Sequence, residues 1–228
     1  MIRALVFDVD GTLAETEEAH RLAFNDTFAD HGLDWRWSRA DYGRLLTTTG
    51  GKERMRRHRD EIGTPEPSDA DIAALHAAKT RAYGALIGAG AAALRPGVAA
   101  LIDEARGAGL RLAVATTTSR SNVDALARTA WDRPAEEVFD VIAAGDEVAA
   151  KKPAPDVYRL ALERLGLDPA AALAFEDSAN GVAAARAAGL RVAVTPSVYS
   201  GDEDFAAADW VLPSLARADR PPVLRFGG

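Results

Sequence analysis

The chain opens on an apolar run, residues 2–7, interrupted only by Arg3, rich in branched and aromatic side chains and stopped by Asp8. A run with no polar alternation predicts a strand buried on both faces, the kind found in parallel sheets. From residue 16 to about 87 the pattern is helical, with Leu22, Phe24 and Phe28 in one segment and Leu45 and Leu46 in another. No strand-like alternation interrupts it. Pro65 and Pro67 punctuate a turn, and Ser68 with Asp71 three residues on matches a capping box opening a helix that reaches residue 82 or beyond. The stretch is expected to hold roughly four helices.

Residues 88–97 are rich in small side chains and end in Arg95-Pro96-Gly97, the composition of a hinge before a new helix. Gly88 to Ala93 superficially matches a dinucleotide-binding loop, but it follows a helix rather than a strand and is read as hinge. Beyond it the period alternates. Helices are expected at 98–107, from 122, at 156–165 and at 181–188; strands are expected at 110–116, 141–144, 173–175 and 191–195, with an edge strand at 210–212. Such repetition predicts an α/β fold, a doubly wound parallel sheet. The expected division is residues 1–14 and 93–228 for the α/β core and 15–92 for a helical cap inserted after the first strand.

Composition narrows the classes. Hydrophobic residues make 48% and charged residues 27%, which suits a folded core with a solvated surface. The lack of cysteine removes disulfides, a thiolate nucleophile and any cysteine-ligated metal. No apolar run approaches the roughly 18 residues of a membrane span. A net charge of -7 opposes the broad positive field of a nucleic-acid-binding protein. The expectation is a cytoplasmic monomer that acts on a small molecule and has neither nucleic-acid nor membrane partners.

Asp8-Val9-Asp10-Gly11-Thr12 carries the sharpest chemical signal. Side chains two apart on extended backbone point the same way, so a buried strand delivers two carboxylates to the ligand crevice at its carboxyl end. Thr116, Lys152 and the pair Glu176-Asp177 fall at comparable strand ends. Two carboxylates about 4 Å apart repel by roughly 4 kcal/mol at an effective dielectric near 20, so this acidic crevice calls for a hard divalent cation. Magnesium fits, because it takes one or two carboxylates together with a substrate phosphate oxygen. An EF-hand calcium loop would need a third acid and a preceding helix instead of a buried strand.

This ordered set resembles the haloacid dehalogenase superfamily of phosphotransferases, in the branch containing sugar phosphatases and β-phosphoglucomutase. Asp10 through Glu17 to His20, Lys152-Pro153-Ala154-Pro155-Asp156 and Glu176-Asp177-Ser178 carry the likeness; Glu15 stands where Asp is commoner. The resemblance implies a Rossmann-like core and a catalytic set of Asp8, Asp10, Thr116 and Lys152. Asp8 is then the carboxylate nucleophile and Asp10 the acid and base. Thr116, assisted by backbone amides from Thr117 onward, binds the phosphoryl oxygens, and Lys152 holds nucleophile and phosphate together. The implied magnesium site is Asp8, Asp177 and Asp10 through its carbonyl, with Glu176 a ligand directly or through water.

Lys52, Arg54, Arg56, Arg57 and Arg59 crowd eight positions of an otherwise acidic chain. A second substrate phosphate would want such cations on the cap. An equal alternative is a solvated face paired with Glu53, Asp60 or Glu61. The stretch from Thr47 to Arg54 resembles the CbbY-like phosphatases, which act on xylulose 1,5-bisphosphate in carbon fixation. That resemblance implies substrate contacts from Glu17, Gly51, Lys52 and Arg54, with His20 supporting the hinge. Lys79, on the last cap helix, is a further candidate for reaching substrate, whereas His31, His58 and His76 receive no role. Two other functions share these motifs: a sugar phosphomutase, and a receiver-like phosphoacceptor module, against which the 70-odd-residue insert argues.

Overall fold

A computed structural model describes residues 1–226. Strand β1 (Ala4–Phe7) is followed by four helices, α1 (Glu17–Asp30), α2 (Arg39–Leu46), α3 (Gly51–Glu61) and α4 (Asp69–Gly88). The chain then alternates: α5 (Val98–Gly107), β2 (Arg111–Ala115), α6 (Arg120–Trp131), α7 (Ala135–Val138), β3 (Val141–Ala143), α8 (Asp156–Leu165), β4 (Ala172–Glu176), α9 (Ala179–Ala187), β5 (Arg191–Val194) and β6 (Trp210–Val211). The strands form one sheet in the order β3-β2-β1-β4-β5-β6, and every pairing is parallel.

Strand β1 is buried along its whole length because it lies between β2 and β4 with helices on both faces. Leu5 and Phe7 enter one apolar cluster with Leu101, Ile102, Val123 and Leu126. Ala4 and Val6 enter the opposite one, with Val157, Tyr158, Leu162 and Val182. Alternate residues of one strand thus feed two cores. Each large side chain buried this way contributes about 1.5–3 kcal/mol. The insert has its own core of Phe24, Phe28, Trp37, Tyr42, Leu45, Met55, Ile72 and Leu75.

Helix boundaries follow local chemistry. Ser68 accepts from Asp71 N while the Asp71 side chain accepts from Ser68 N, the expected capping box, and α4 runs on to Gly88. Ser38 and Asp41 make a second box at α2. Helix α6 starts at Arg120, two residues earlier than its apolar pattern suggests, because Ser119 supplies the extended residue that precedes it. Helix α7 was not expected, being too short for a period to show.

The two linkers of the insert run side by side. Ala14 bridges Leu94, and Arg95 N donates to the Leu13 carbonyl at 2.8 Å. The Arg95 guanidinium also bonds the Gly11 carbonyl, the Thr195 carbonyl at 2.7 Å and the Pro196 carbonyl at 2.7 Å. One arginine thereby ties the return linker to the turn after β1 and the loop after β5.

Candidate active site

The register pairs Phe7 with Val114 on one side and Phe175 on the other, so three strand ends stop level. They deliver Asp8, Thr116 and the pair Glu176-Asp177 to one place, all buried. Lys152 arrives from the loop before α8. Its Nζ lies 2.6 Å from Asp8 Oδ1 and 2.6 Å from Glu176 Oε1. Glu176 also accepts from the Tyr158 hydroxyl at 2.5 Å and from Asp177 N at 3.3 Å. Glycine at 181 permits this, since a Cβ there would run into the Glu176 carboxylate. Gly11, at φ 82°, likewise leaves room for the Asp177 carboxylate.

Asp8, Glu176 and Asp177 offer oxygens within 4.8 Å of one another. Three buried carboxylates face a single buried ammonium, an imbalance that suits a hard divalent cation and no softer metal. Without that cation the charges are costly. Burial pushes Asp8 up to about 8, helped by Glu176 and Asp10 and opposed by Lys152. Burial and the charges of Asp8 and Glu176 push Asp177 well above the carboxylate range. Burial alone would lower Lys152, yet Asp8 and Glu176 together raise it.

The Asp10 carboxyl turns toward the insert. Thr16 Oγ1 donates to Asp10 Oδ1 at 2.6 Å, and His20 Nε2 lies 3.0 Å from the same oxygen. Burial would raise this carboxyl, but His20, Thr16 and Lys79 outweigh burial and hold it well below its ordinary range. Lys79 Nζ sits 2.5 Å from His20 Nδ1 and 4.5 Å above the Phe24 ring. Burial brings that amine down to about 7 against the pull of Asp10.

A single cavity joins these groups. Asp8, Asp10, Lys152, Asp177 and residues 116–119 line its floor, and Glu17, His20, Gly51, Arg54 and Lys79 line its roof. Thr116 Oγ1 accepts from Thr118 N at 3.2 Å. Tyr42 organises the roof by donating to Glu17 Oε2 at 2.6 Å and accepting from Arg54 Nη1 at 2.9 Å. Arg54 is 8% exposed, and its Nε has no hydrogen-bond partner among the described residues.

Both readings of the basic run therefore hold, for different residues. Arg54 faces the cavity. Arg56 pairs with Glu53 and Asp69, Arg57 with Glu61, and Arg59 with Asp60 and Asp69. Lys52 lines an adjoining groove with Glu53, Thr117, Asp146 and Lys151.

His76, given no role from sequence, lines both the cavity and the groove, packed so closely on Gly51 that a Cβ there would lie 2.6 Å from its Nε2. Burial, then Lys79 and Lys52, push it down to about 3. Asn180 and Tyr199 also line the cavity and Tyr42 is buried behind its roof; spacing singled out none of the three.

A model of haloacid dehalogenase-like hydrolases matches residues 2–189. The chain belongs to that family. It is 64% identical over 217 residues to Protein CbbY of Rhodobacter capsulatus and 59% identical over 217 residues to that of Cereibacter sphaeroides. Those matches cover 95% of this chain and, respectively, 95% and 94% of the relative. A crystal structure of CbbY from Rhodobacter sphaeroides in complex with phosphate shares the fold at a TM-score of 0.91 and 57% identity. A mutant of the same protein in complex with xylulose-(1,5)-bisphosphate does so at 0.91 and 58%, each structure covering 95% of this chain and 96% of the other. β-Phosphoglucomutase from Clostridium difficile, 19% identical with a TM-score of 0.76 over 94% of this chain and 92% of the other, shares the fold. This hydrolase is a CbbY-like haloacid dehalogenase phosphatase, which sets aside the receiver reading. Among its described residues no helix is long and apolar enough to cross a membrane.

Proposed function

We propose that this phosphatase hydrolyses xylulose 1,5-bisphosphate in a magnesium-dependent reaction that passes through an aspartyl phosphate on Asp8. The carrying observation is the single cavity with Asp8, Lys152 and Asp177 on its floor and the buried Arg54, whose Nε has no hydrogen-bond partner among the described residues, on its roof. A substrate with phosphate at both ends fits that distribution of charge, and CbbY of Rhodobacter sphaeroides holds such a molecule.

Asp8 Oδ attacks phosphorus while the bond from phosphorus to the sugar oxygen breaks, and that oxygen receives a proton through Asp10, whose carboxyl is otherwise held ionised and is supplied with the proton along the chain from Lys79 through His20. Water then attacks the aspartyl phosphate, Asp10 takes the water's proton, and Asp8 returns as carboxylate with inorganic phosphate free. Thr116 and the amides that follow it orient the phosphoryl oxygens, and Lys152 neutralises Asp8 and Glu176. Asp8 and Asp177, with the Asp10 carbonyl, would hold magnesium, whose charge offsets that of the phosphoryl group. Glu176 is engaged by Lys152 and Tyr158, which suits contact with the ion through water.

The helical insert, residues 15–92, acts as a cap that seats Glu17, Gly51, Arg54 and Lys79 on the sugar and its distal phosphate. Its closing also brings His20 to Asp10, so proton transfer is assembled only when the cavity is shut to bulk water. The test is phosphate release by wild-type enzyme and Asp8→Asn. Loss of activity by about 10³-fold or more in a folded variant is expected. Undiminished release by Asp8→Asn would remove Asp8 as nucleophile.

A further inference from the structure

The loop after β5, residues 195–203, takes no part in the steps above, yet it touches both halves of the site. Ser197 and Ser200 are buried, while Val198 between them is 82% exposed, so apolar packing does not hold the loop. Hydrogen bonds do. Ser200 Oγ donates to the Asp177 carbonyl at 2.6 Å, accepts from Ser197 N at 2.8 Å and lies 2.9 Å from Ser197 Oγ. The hydroxyl's single proton and both lone pairs are thereby used.

The neighbouring residue faces the other way. Tyr199 donates to Glu18 of α1 at 2.8 Å and meets the Tyr42 ring edge-on at 5.6 Å. It also lies against α2, where a Cβ at Gly43 would stand 3.6 Å from its ring. Tyr42 is the residue that joins Glu17 to Arg54. Two consecutive side chains thus grip the insert and the backbone of the acid that completes the metal cluster.

We propose that Tyr199 and Ser200 are positioning residues that couple the seating of the cap on its ligand to the placement of the Asp177 carboxylate. The inference rests on the magnesium reading above. A ligand that orders Glu17 and with it the neighbouring Glu18 on α1 also fixes Tyr199 through its hydrogen bond to Glu18, and through Ser200 it fixes the backbone from which Asp177 projects. Magnesium and a cap ligand then strengthen each other's binding by the same factor.

Calorimetric titration of magnesium into the whole protein, with and without xylulose 5-phosphate as a product-like cap ligand, tests this. Wild type is expected to bind magnesium about 5- to 10-fold more tightly with the sugar phosphate present, within the usual range of such couplings. Tyr199→Phe should keep magnesium binding in the absence of the sugar phosphate and lose most of that enhancement. Ser200→Ala should weaken magnesium about tenfold under both conditions, with Ser200→Thr restoring it, because a buried carbonyl left unpaired relaxes its backbone. Circular dichroism melts verify that each variant is folded. Undiminished enhancement in Tyr199→Phe, or wild-type magnesium affinity in Ser200→Ala, overturns the proposal. A wild type that binds no magnesium at all overturns the underlying metal reading as well, and is recognisable as that separate failure.

Discussion

His20 Nε2 stands 3.0 Å from Asp10 Oδ1, although Asp10 follows the first strand and His20 lies in the first helix of the insert. Lys79, from the last helix of the insert, closes the chain at 2.5 Å from His20 Nδ1. The protonation of Asp10 is thus set by the insert, not by the sheet that carries it. His20→Ala should lower kcat by about 10²-fold, the usual scale for general acid-base assistance, with a smaller change in KM. Steady-state kinetics with circular dichroism checks this, and wild-type kcat would contradict it.

Lys79 is buried and its amine sits at about 7, so between about 7 and the ordinary lysine range the unfolded chain binds a proton that the folded chain does not. Stability therefore rises with pH across that window, by up to about 1.4 kcal/mol per pH unit from this group. Below pH 7 its desolvation penalty is felt in full. Lys79→Met should raise the melting temperature most at pH 6 and progressively less toward pH 9, while activity falls. Melts across that range check the slope.

Asp8 at about 8 in the metal-free protein means that binding a divalent cation displaces a proton near neutrality. Magnesium affinity should fall as pH is lowered from 8 to 6, approaching tenfold per unit for one displaced proton. Asp177→Asn should lose metal-dependent activity, and chelation should abolish wild-type activity until magnesium is restored. Titrations at several pH values check the sign.

The placement of Arg54 and Arg56, two residues apart on one helix, separates the roles of the basic run. Arg54→Ala should raise KM for a sugar bisphosphate by about 10- to 100-fold, since it removes a buried cation from an anion site. Arg56→Ala, at a half-exposed side chain paired with Glu53 and Asp69, should change KM less than about twofold. Kinetics on both variants decide it.

Gly181 reverses an ordinary expectation. Glycine to alanine in a helix gains about 1 kcal/mol, but here the new Cβ would strike the Glu176 carboxylate that holds Lys152. Gly181→Ala should both destabilise the fold and lower kcat by about tenfold or more. Denaturant melts and kinetics check the two effects together.

The sheet and the polar side chains gathered at its strand ends were legible in the sequence because both depend on local order. A buried strand announces itself by an apolar run, and its end marks where a polar group emerges into the crevice, as with Phe7-Asp8 and Phe175-Glu176. The roof was only partly legible. Whether Arg54 or Arg56 faces the cavity depends on the rotation of α3 about its axis, which the surrounding aromatic cluster sets and a charge count does not carry. His76 was missed because a histidine on an alanine-rich helix carries no local signal; Gly51, packed against it from another helix, is what marks it. Ser200 and Tyr199 escaped for a similar reason, since they act through hydrogen bonds to residues far away in the chain.

The central claim is tested most directly by kcat/KM for magnesium-dependent phosphate release from xylulose 1,5-bisphosphate, measured beside xylulose 5-phosphate and β-glucose 1-phosphate with the products identified. Selective release from the bisphosphate is predicted, by about 10²-fold or more over either monophosphate, the scale of losing a buried charged contact, with no isomerised ester. Equal rates on all three, or isomerisation of β-glucose 1-phosphate without free phosphate, would contradict it.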